Sequence, residues 1–289
     1  MRPEPGIERN QTSGFTLVEL LIGLTITALV VAVVYGTFFR TQHAAQGVMT
    51  EVDGRQGARS AIQLLERDLR MAGSGWGRMD VEGAYGGAPL TLYGINPGYG
   101  GADGNDSVSV LGAWNVSTTL SAAMTTTTTD IKCASVAGFA SGDLVVVTDN
   151  NTRAHLFRVT AISTSTNTLS HAATSTFNAA GGHSGWPAGG YKIGTAVYRV
   201  GWISYRMDST LFGRPALIRY AVGGSPQMVA PGIQSFQVWY KLDNGSRTRD
   251  PLSFASKLRD VIPILYPIGA TGAAPQADSV WTVVQPRTF

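Results

Sequence analysis

Cysteine is nearly missing from this chain: Cys133 is the only one in 289 residues, so no disulfide can form within it and stability must come from packing. A single thiol cannot build a zinc site either. The four histidines, His43, His155, His171 and His183, show no H-x-x-x-H or H-E-x-x-H spacing, so metal catalysis is not expected. Charged residues make up only 14%, and the Lys and Arg behind the net charge of +3 are dispersed rather than run together, which argues against a nucleic-acid partner. A G-x-S-x-G elbow and a P-loop are both lacking, and Gly73-Ser74-Gly75-Trp76-Gly77-Arg78 misses the third glycine of a dinucleotide fingerprint. Asp103-Gly104-Asn105-Asp106-Ser107 offers oxygens but no twelfth-position Glu, and reads as a turn before Val108 rather than a calcium loop. No catalytic residue, metal or cofactor is expected, and the chain reads as non-enzymatic.

Proline is absent between Pro5 and Pro89, and no Lys, Arg or His lies between Phe15 and Phe39. What fills that run is almost wholly apolar. As a helix its 25 residues would span about 37 Å, enough to cross a bilayer. One carboxylate, Glu19, sits inside it. An acid in mid-membrane is unfavourable by roughly 2.5 to 3.5 kcal/mol, so such a group is read as functional with a partner to be named. An amino terminus would supply that partner one helical turn away if the chain were cut after Gly14. A cleaved secretory signal fits poorly, because the run is too long and no A-x-A site follows. A plain signal anchor fits the length but leaves Gly14, Phe15 and Glu19 unexplained together. A carboxylate in the first turn also suits the positive end of its own helix.

The residues Ser13-Gly14-Phe15-Thr16-Leu17-Val18-Glu19-Leu20-Leu21-Ile22-Gly23-Leu24-Thr25-Ile26 resemble the cleavage and assembly signal of type IV pilins and type II secretion pseudopilins. The resemblance implies a leader over 1–14, cut after Gly14 by prepilin peptidase, and N-methylation of the new first residue, Phe15. It also implies that Glu19 pairs with the N-terminal amine of a neighbouring subunit during assembly. Coulomb attraction at about 4 Å grows from roughly 1 kcal/mol in water to several in a less polar medium, so the lipid that penalises an unpaired Glu19 also rewards its pairing. The leader carries Arg2 and Arg9 but also Glu4 and Glu8, a weak orienting signal.

Past the membrane half at 15–39, helical spacing continues as an amphipathic stalk over 40–73. Val48, Val52, Ile62, Leu65, Leu69 and Ala72 share a stripe, and Glu51–Arg55 and Glu66–Arg70 stand as i,i+4 pairs. Gly73 is a stop signal. The end of this segment, Leu65-Glu66-Arg67-Asp68-Leu69-Arg70-Met71-Ala72-Gly73, is similar to the stalk helix of PilW-like minor pilins. Ala196–Val200, Ile203–Tyr205, Arg214–Arg219 and Gly232–Val238 look like that group's strand core. Independently, Phe236, Val238, Tyr240 and Leu242 alternate with polar or larger neighbours as in a half-buried strand, and Ile218, Tyr220 and Val222 alternate likewise.

The expected fold is therefore α+β and type IV pilin-like. A long N-terminal helix packs on an antiparallel β-sheet head at 74–289, with a small β subdomain inserted over about 130–170. Within that insert Gly142–Thr148 and His155–Ile162 read as strands joined by a turn at Asp149–Thr152, flanked by Ser/Thr/Ala-rich segments at 117–129 and 163–182 that read as linkers. Cys133 is expected as a free core thiol.

The function implied is a minor pilin. It would be held in the inner membrane by one pass with its head in the periplasm, then assembled into a priming and tip complex of a type IV pilus. Its implied partners are prepilin peptidase, other minor pilins, the major pilin, the inner-membrane assembly platform and membrane lipid. Two alternatives stay open at this point: a GspJ-like pseudopilin of type II secretion, and a membrane-anchored surface adhesin that never enters a filament.

Overall fold

The computed structural model describes residues 16–101, 104–178, 183–250, 258–267 and 279–286, leaving aside the side chains of 44–51 and 115. The chain divides into two units, Met1–Thr50 and Glu51–Phe289. The helix α1 (Leu17–Arg70) forms the described part of the first unit and opens the second. In the first unit every side chain described, from Thr16 to His43, is exposed.

In the second unit α1 is followed by β1 (Val81–Tyr85), β2 (Ala88–Leu92), β3 (Ile95–Gly98) and β4 (Ser107–Thr119). Next come β5 (Ile131–Lys132), β6 (Leu144–Thr148), β7 (Ala154–Arg158), β8 (Ala161–Ser163) and β9 (Thr168–Ser170). The last are β10 (Ala196–Asp208), β11 (Ala216–Ala221), β12 (Gln227–Pro231), β13 (Ile233–Leu242), β14 (Arg247–Thr248), β15 (Leu258–Pro267) and β16 (Val280–Trp281). A nine-stranded sheet runs β12-β11-β10-β6-β7-β1-β2, with β4 also on β10 and β3 on β4. A four-stranded sheet runs β14-β13-β15-β16 and a three-stranded one β5-β9-β8. The architecture is α+β. One pairing departs from the expected antiparallel order: β1 meets β7 in parallel at Glu82 and His155.

Within this unit the helix buries Ala58, Ala61, Ile62, Leu65, Leu69 and Ala72 against Ile203 and Tyr205 of the large sheet and against Phe236, Val238, Tyr240, Val261 and Leu265 of the four-stranded one. One predicted member of the stripe falls away from it. Val52 is 54% exposed, because at 100° per residue it points far from the face that holds Leu65 and Leu69, and Val48 lies among the undescribed side chains. Gly54 and Gly57 take up the stripe instead: a Cβ on Gly54 would stand 3.3 Å from the Gly232 carbonyl oxygen, and one on Gly57 would stand 3.6 Å from Ala230 Cβ. The helix ends at Arg70 and closes through tight turns, Met71 N to Asp68 O and Ala72 N to Leu69 O, both 3.1 Å. Gly73 then takes a left-handed φ of 68°, the conformation that glycine adopts without strain.

Other expectations are corrected by pairing partners far away in sequence. The polar segment from Ser117 is the tail of β4, held by Ala196, Val197 and Tyr198 of β10, so backbone hydrogen bonds rather than side chains make it a strand. Thr168–Ser170, also read as linker, forms β9 between β5 and β8. Tyr220 is 38% exposed while Ala216, Leu217 and Ile218 are all buried, because the register with β12 shifts between Leu217 and Ile218 and breaks the simple alternation. The alternation on β13 holds, with Phe236, Val238, Tyr240 and Leu242 buried.

Three cores result, and β10 feeds each of them. Its Ile203 and Tyr205 belong to the helix core, Val197 joins Leu120, Ile131, Phe139 and Phe157 in a second, and Val200 joins Trp76, Leu92 and Leu156 in a third.

Candidate functional site

The first turn of α1 is built by two residues. Thr16 precedes the helix and donates from its backbone N at 3.0 Å and from Oγ1 at 3.1 Å to Glu19 Oε2. In return, Glu19 N donates to Thr16 Oγ1 at 3.3 Å. This reciprocal pair is a capping box, which satisfies two of the backbone donors that a helix start leaves unpaired. Among the described residues, Glu19 Oε1 accepts no hydrogen bond, so one carboxylate oxygen stays open to a second donor. Gly14 and Phe15, the other two residues singled out in the sequence, lie outside the described residues. Thr16 was missed by the sequence reading, although T-x-x-E before an apolar run is the signal that finds it.

Beyond this turn the helix is long and apolar enough to cross a membrane over Leu17–His43. Its few polar side chains satisfy themselves: Thr25 Oγ1 donates to Ile22 O at 2.9 Å, Thr27 Oγ1 to Gly23 O at 2.7 Å and Thr37 Oγ1 to Val34 O at 2.8 Å. A hydroxyl so bonded is tolerated where no water can reach it. At the far end the Tyr35 ring meets Phe39, and Phe39 meets His43, in tilted contacts with centroids 5.4 and 5.8 Å apart, and Arg40 is exposed beside them. Aromatic and basic side chains of this kind sit well at a membrane–water boundary. A Cβ on Gly23 or Gly36 would meet nothing within 4 Å, so neither glycine is explained by a contact among the described residues.

Several chemistry-bearing groups among the described residues of the second unit are committed to structure. Asp106 is 3% exposed and accepts from Arg249 Nη2 at 3.0 Å, from Val238 N at 2.8 Å and from Gly100 N at 3.1 Å. Asn105 Oδ1 accepts from Phe236 N at 2.9 Å. Hydrogen-bond donors engage these oxygens of Asn105 and Asp106, while Asp103 itself lies outside the described residues. Asp149 caps the turn between β6 and β7. Burial pushes its carboxyl up, but the backbone N–H groups of Arg153, Thr152 and Asn151 outweigh it and bring the group down to about 2. Cys133 is a buried free thiol, pushed up to about 11 by desolvation. Among the described residues no group of three His, Cys, Asp or Glu could hold a metal ion.

Residues 9–35 match the family described as the prokaryotic N-terminal methylation motif. Among curated proteins and among solved structures, none matches the chain. The matched segment takes in Gly14, Phe15 and Glu19 together with the apolar helix as far as Tyr35, and it supports a type IV pilin-like or pseudopilin protein.

Proposed function

We propose that this chain is a minor pilin of a type IV pilus system, similar to the PilW-like group. Prepilin peptidase removes the leader 1–14 by cutting after Gly14, and Phe15 becomes the N-methylated first residue. The segment 15–39 then holds the protein in the inner membrane, the stalk 40–73 leads to a head at 74–289 on the periplasmic side, and residues from about 130 to 170 form a subdomain of that head. During assembly Glu19 takes the N-terminal amine of a neighbouring subunit, and the subunit enters a priming complex that becomes the pilus tip.

The observation that carries this reading is the methylation motif at 9–35, which runs into an apolar helical stretch, Leu17–His43, whose side chains are all exposed. An exposed apolar helix must find lipid or other helices, because single apolar side chains can face water but a continuous band of them is strongly unfavourable there. The capping box adds a mechanism. Thr16 engages Oε2 and leaves Oε1 for an incoming ammonium, so the carboxylate can wait in lipid without being wholly unpaired and then accept a second, charge-assisted bond. The partners that follow are prepilin peptidase, other minor pilins, the major pilin and the assembly platform.

Two measurements test the reading. The N-terminal mass of the protein from its native membranes should correspond to N-methylated Phe15 when the peptidase is active and to the uncut chain when it is not. Glu19→Val should insert into membrane normally yet fail to enter filaments. Normal incorporation of that variant would remove Glu19 from the mechanism, and a cut elsewhere would remove Gly14 and Phe15.

A further inference from the structure

The tip of the β10–β11 hairpin, residues 209–215, is exposed throughout and carries two large apolar side chains, Leu211 at 49% and Phe212 at 39% exposure. Apolar groups at a loop tip gain nothing from the core beneath them. The tip is nevertheless well formed: Asp208 Oδ1 accepts from Thr210 N at 2.8 Å, Thr210 Oγ1 at 2.9 Å and Leu211 N at 2.9 Å. Arginines flank it. Arg206 lies 3.8 Å from Asp208 Oδ2 with its side chain 58% exposed, and Arg214 is exposed with no partner among the described residues.

The hairpin's direction follows from its contacts within the second unit. Tyr205 and Arg219, near its middle, reach Asp68. Nearer the tip, Ala216 pairs with Pro231, Pro215 O accepts from Gly232 N at 3.0 Å, and Gly232 packs on Gly54. The hairpin thus runs along α1 from Asp68 back toward Gly54, and its tip stands at the end of the unit where the chain comes in. Only residues 44–50 separate that end from His43, and a stretch of that length reaches no more than about 28 Å when fully extended. The chain therefore limits that end of the second unit to within about 28 Å of the end of a span closing at His43.

We infer that Leu211 and Phe212 enter the interface of an anionic bilayer, with Arg206 and Arg214 on the lipid phosphates. This rests on the reading of Leu17–His43 as a membrane span. A convex tip with two apolar side chains suits the headgroup and acyl boundary, and guanidinium groups suit phosphate at its rim. The Asp208 carboxylate stays ionised in its turn and offsets one of the two arginines, which leaves Arg214 as the surplus positive charge at the tip. The head is thereby held at the membrane by a second, reversible contact that must break when the subunit leaves for a filament.

The test uses the full chain reconstituted in vesicles of phosphatidylcholine alone or mixed with phosphatidylglycerol, bearing a nitroxide at Leu211→Cys or, as a control, at Thr152→Cys in the β6–β7 turn. Buried Cys133 stays unlabelled. In anionic vesicles the label at 211 should be accessible to oxygen and shielded from a water-soluble nickel chelate, with the opposite pattern at 152. Arg206→Gln with Arg214→Gln should weaken insertion of the tip by roughly 30-fold. A label at 211 as water-exposed as the control in both vesicles overturns the inference, as does shielding that appears only with spin–spin broadening between copies, which would make the tip a protein contact. If the chain fails to float with vesicles at all, the membrane span itself is refuted, which is a distinct outcome.

Discussion

The hydroxyl of Tyr205 on β10 donates a 2.6 Å hydrogen bond to Asp68 Oδ2 on α1, and the same oxygen accepts from Arg219 Nε at 2.9 Å. The Asp68 side chain is only 7% exposed and that of Arg219 17%. Burial, and then the adjacent carboxylate, raises the Tyr205 hydroxyl, so it stays a donor at all ordinary pH. Residues 137 apart in sequence thus lock the helix to the large sheet.

Removing the acid should be far worse than removing the hydroxyl. Asp68→Ala leaves Arg219 buried without its carboxylate and is expected to destabilise the second unit by about 3–5 kcal/mol, whereas Tyr205→Phe should lose about 1 kcal/mol. Urea unfolding of the full chain in detergent, followed by tryptophan fluorescence, measures both. Equal losses would show that Arg219 finds water when Asp68 is gone.

Acid should weaken the head before carboxylates begin to titrate. His155, His171 and His183 are buried, and desolvation lowers all three from the usual histidine range. Their surroundings only partly oppose this. His155 Nε2 and His183 Nε2 meet the carbonyls of Ser184 and Leu156 at 2.9 Å, with Glu82 favouring and Arg153 opposing the charged form of His155. His171 meets Thr129 O at 2.9 Å, with Asp130 favouring its charge. Below pH about 6.5 the unfolded chain takes up protons that the folded one refuses, so stability is full above that pH and falls beneath it, by at most about 1.4 kcal/mol per pH unit for each histidine. Urea midpoints measured between neutral pH and pH 5 should decline accordingly. A flat profile over that range would mean the rings charge in place.

Two glycines should respond to alanine in opposite directions. A Cβ on Gly94 would stand 2.6 Å from Gly73 N and 2.9 Å from Gly73 Cα, and both are backbone atoms that cannot step aside. Gly94→Ala is expected to lower stability by about 1–3 kcal/mol. On Gly57 the nearest atom would be at 3.6 Å, an ordinary contact, so Gly57→Ala should raise stability by roughly 0.5–1 kcal/mol through helix propensity. Thermal melting of the two variants side by side decides it.

Much of the helix was legible because its signals are local. Glu19 stands out as the lone acid in an apolar run, Leu65 and Leu69 keep helical spacing, and Glu66 and Arg70 are the 2.6 Å pair expected of them. The strand of β13 was equally readable, since a half-buried strand writes its period into four alternating residues. Ser117–Thr119 was not, because its strand character comes from β10 and not from its own side chains. Nor was the Asp68–Tyr205–Arg219 cluster: a charge on a helix carries no mark of which distant strand will cover it. At the candidate site the acid was found and its cap, Thr16, was not, although both lie within one turn.

Cys133 should behave as an inert core residue. With its thiol pushed up to about 11, only a few thousandths or less exists as thiolate at pH 8, and burial blocks the rest. Iodoacetamide should leave the folded protein unmodified and alkylate it fully in urea. Rapid modification of the folded chain would place the thiol at the surface.

Because β10 lends side chains to all three cores, none of them can open by itself without stripping one face or segment of a strand the others still need. The second unit should therefore lose its structure as one cooperative block. Amides along β10 should exchange with solvent only through that global event, with a common free energy of opening from Val197 to Tyr205, while the short β5, β8 and β9 exchange through smaller openings at their frayed ends.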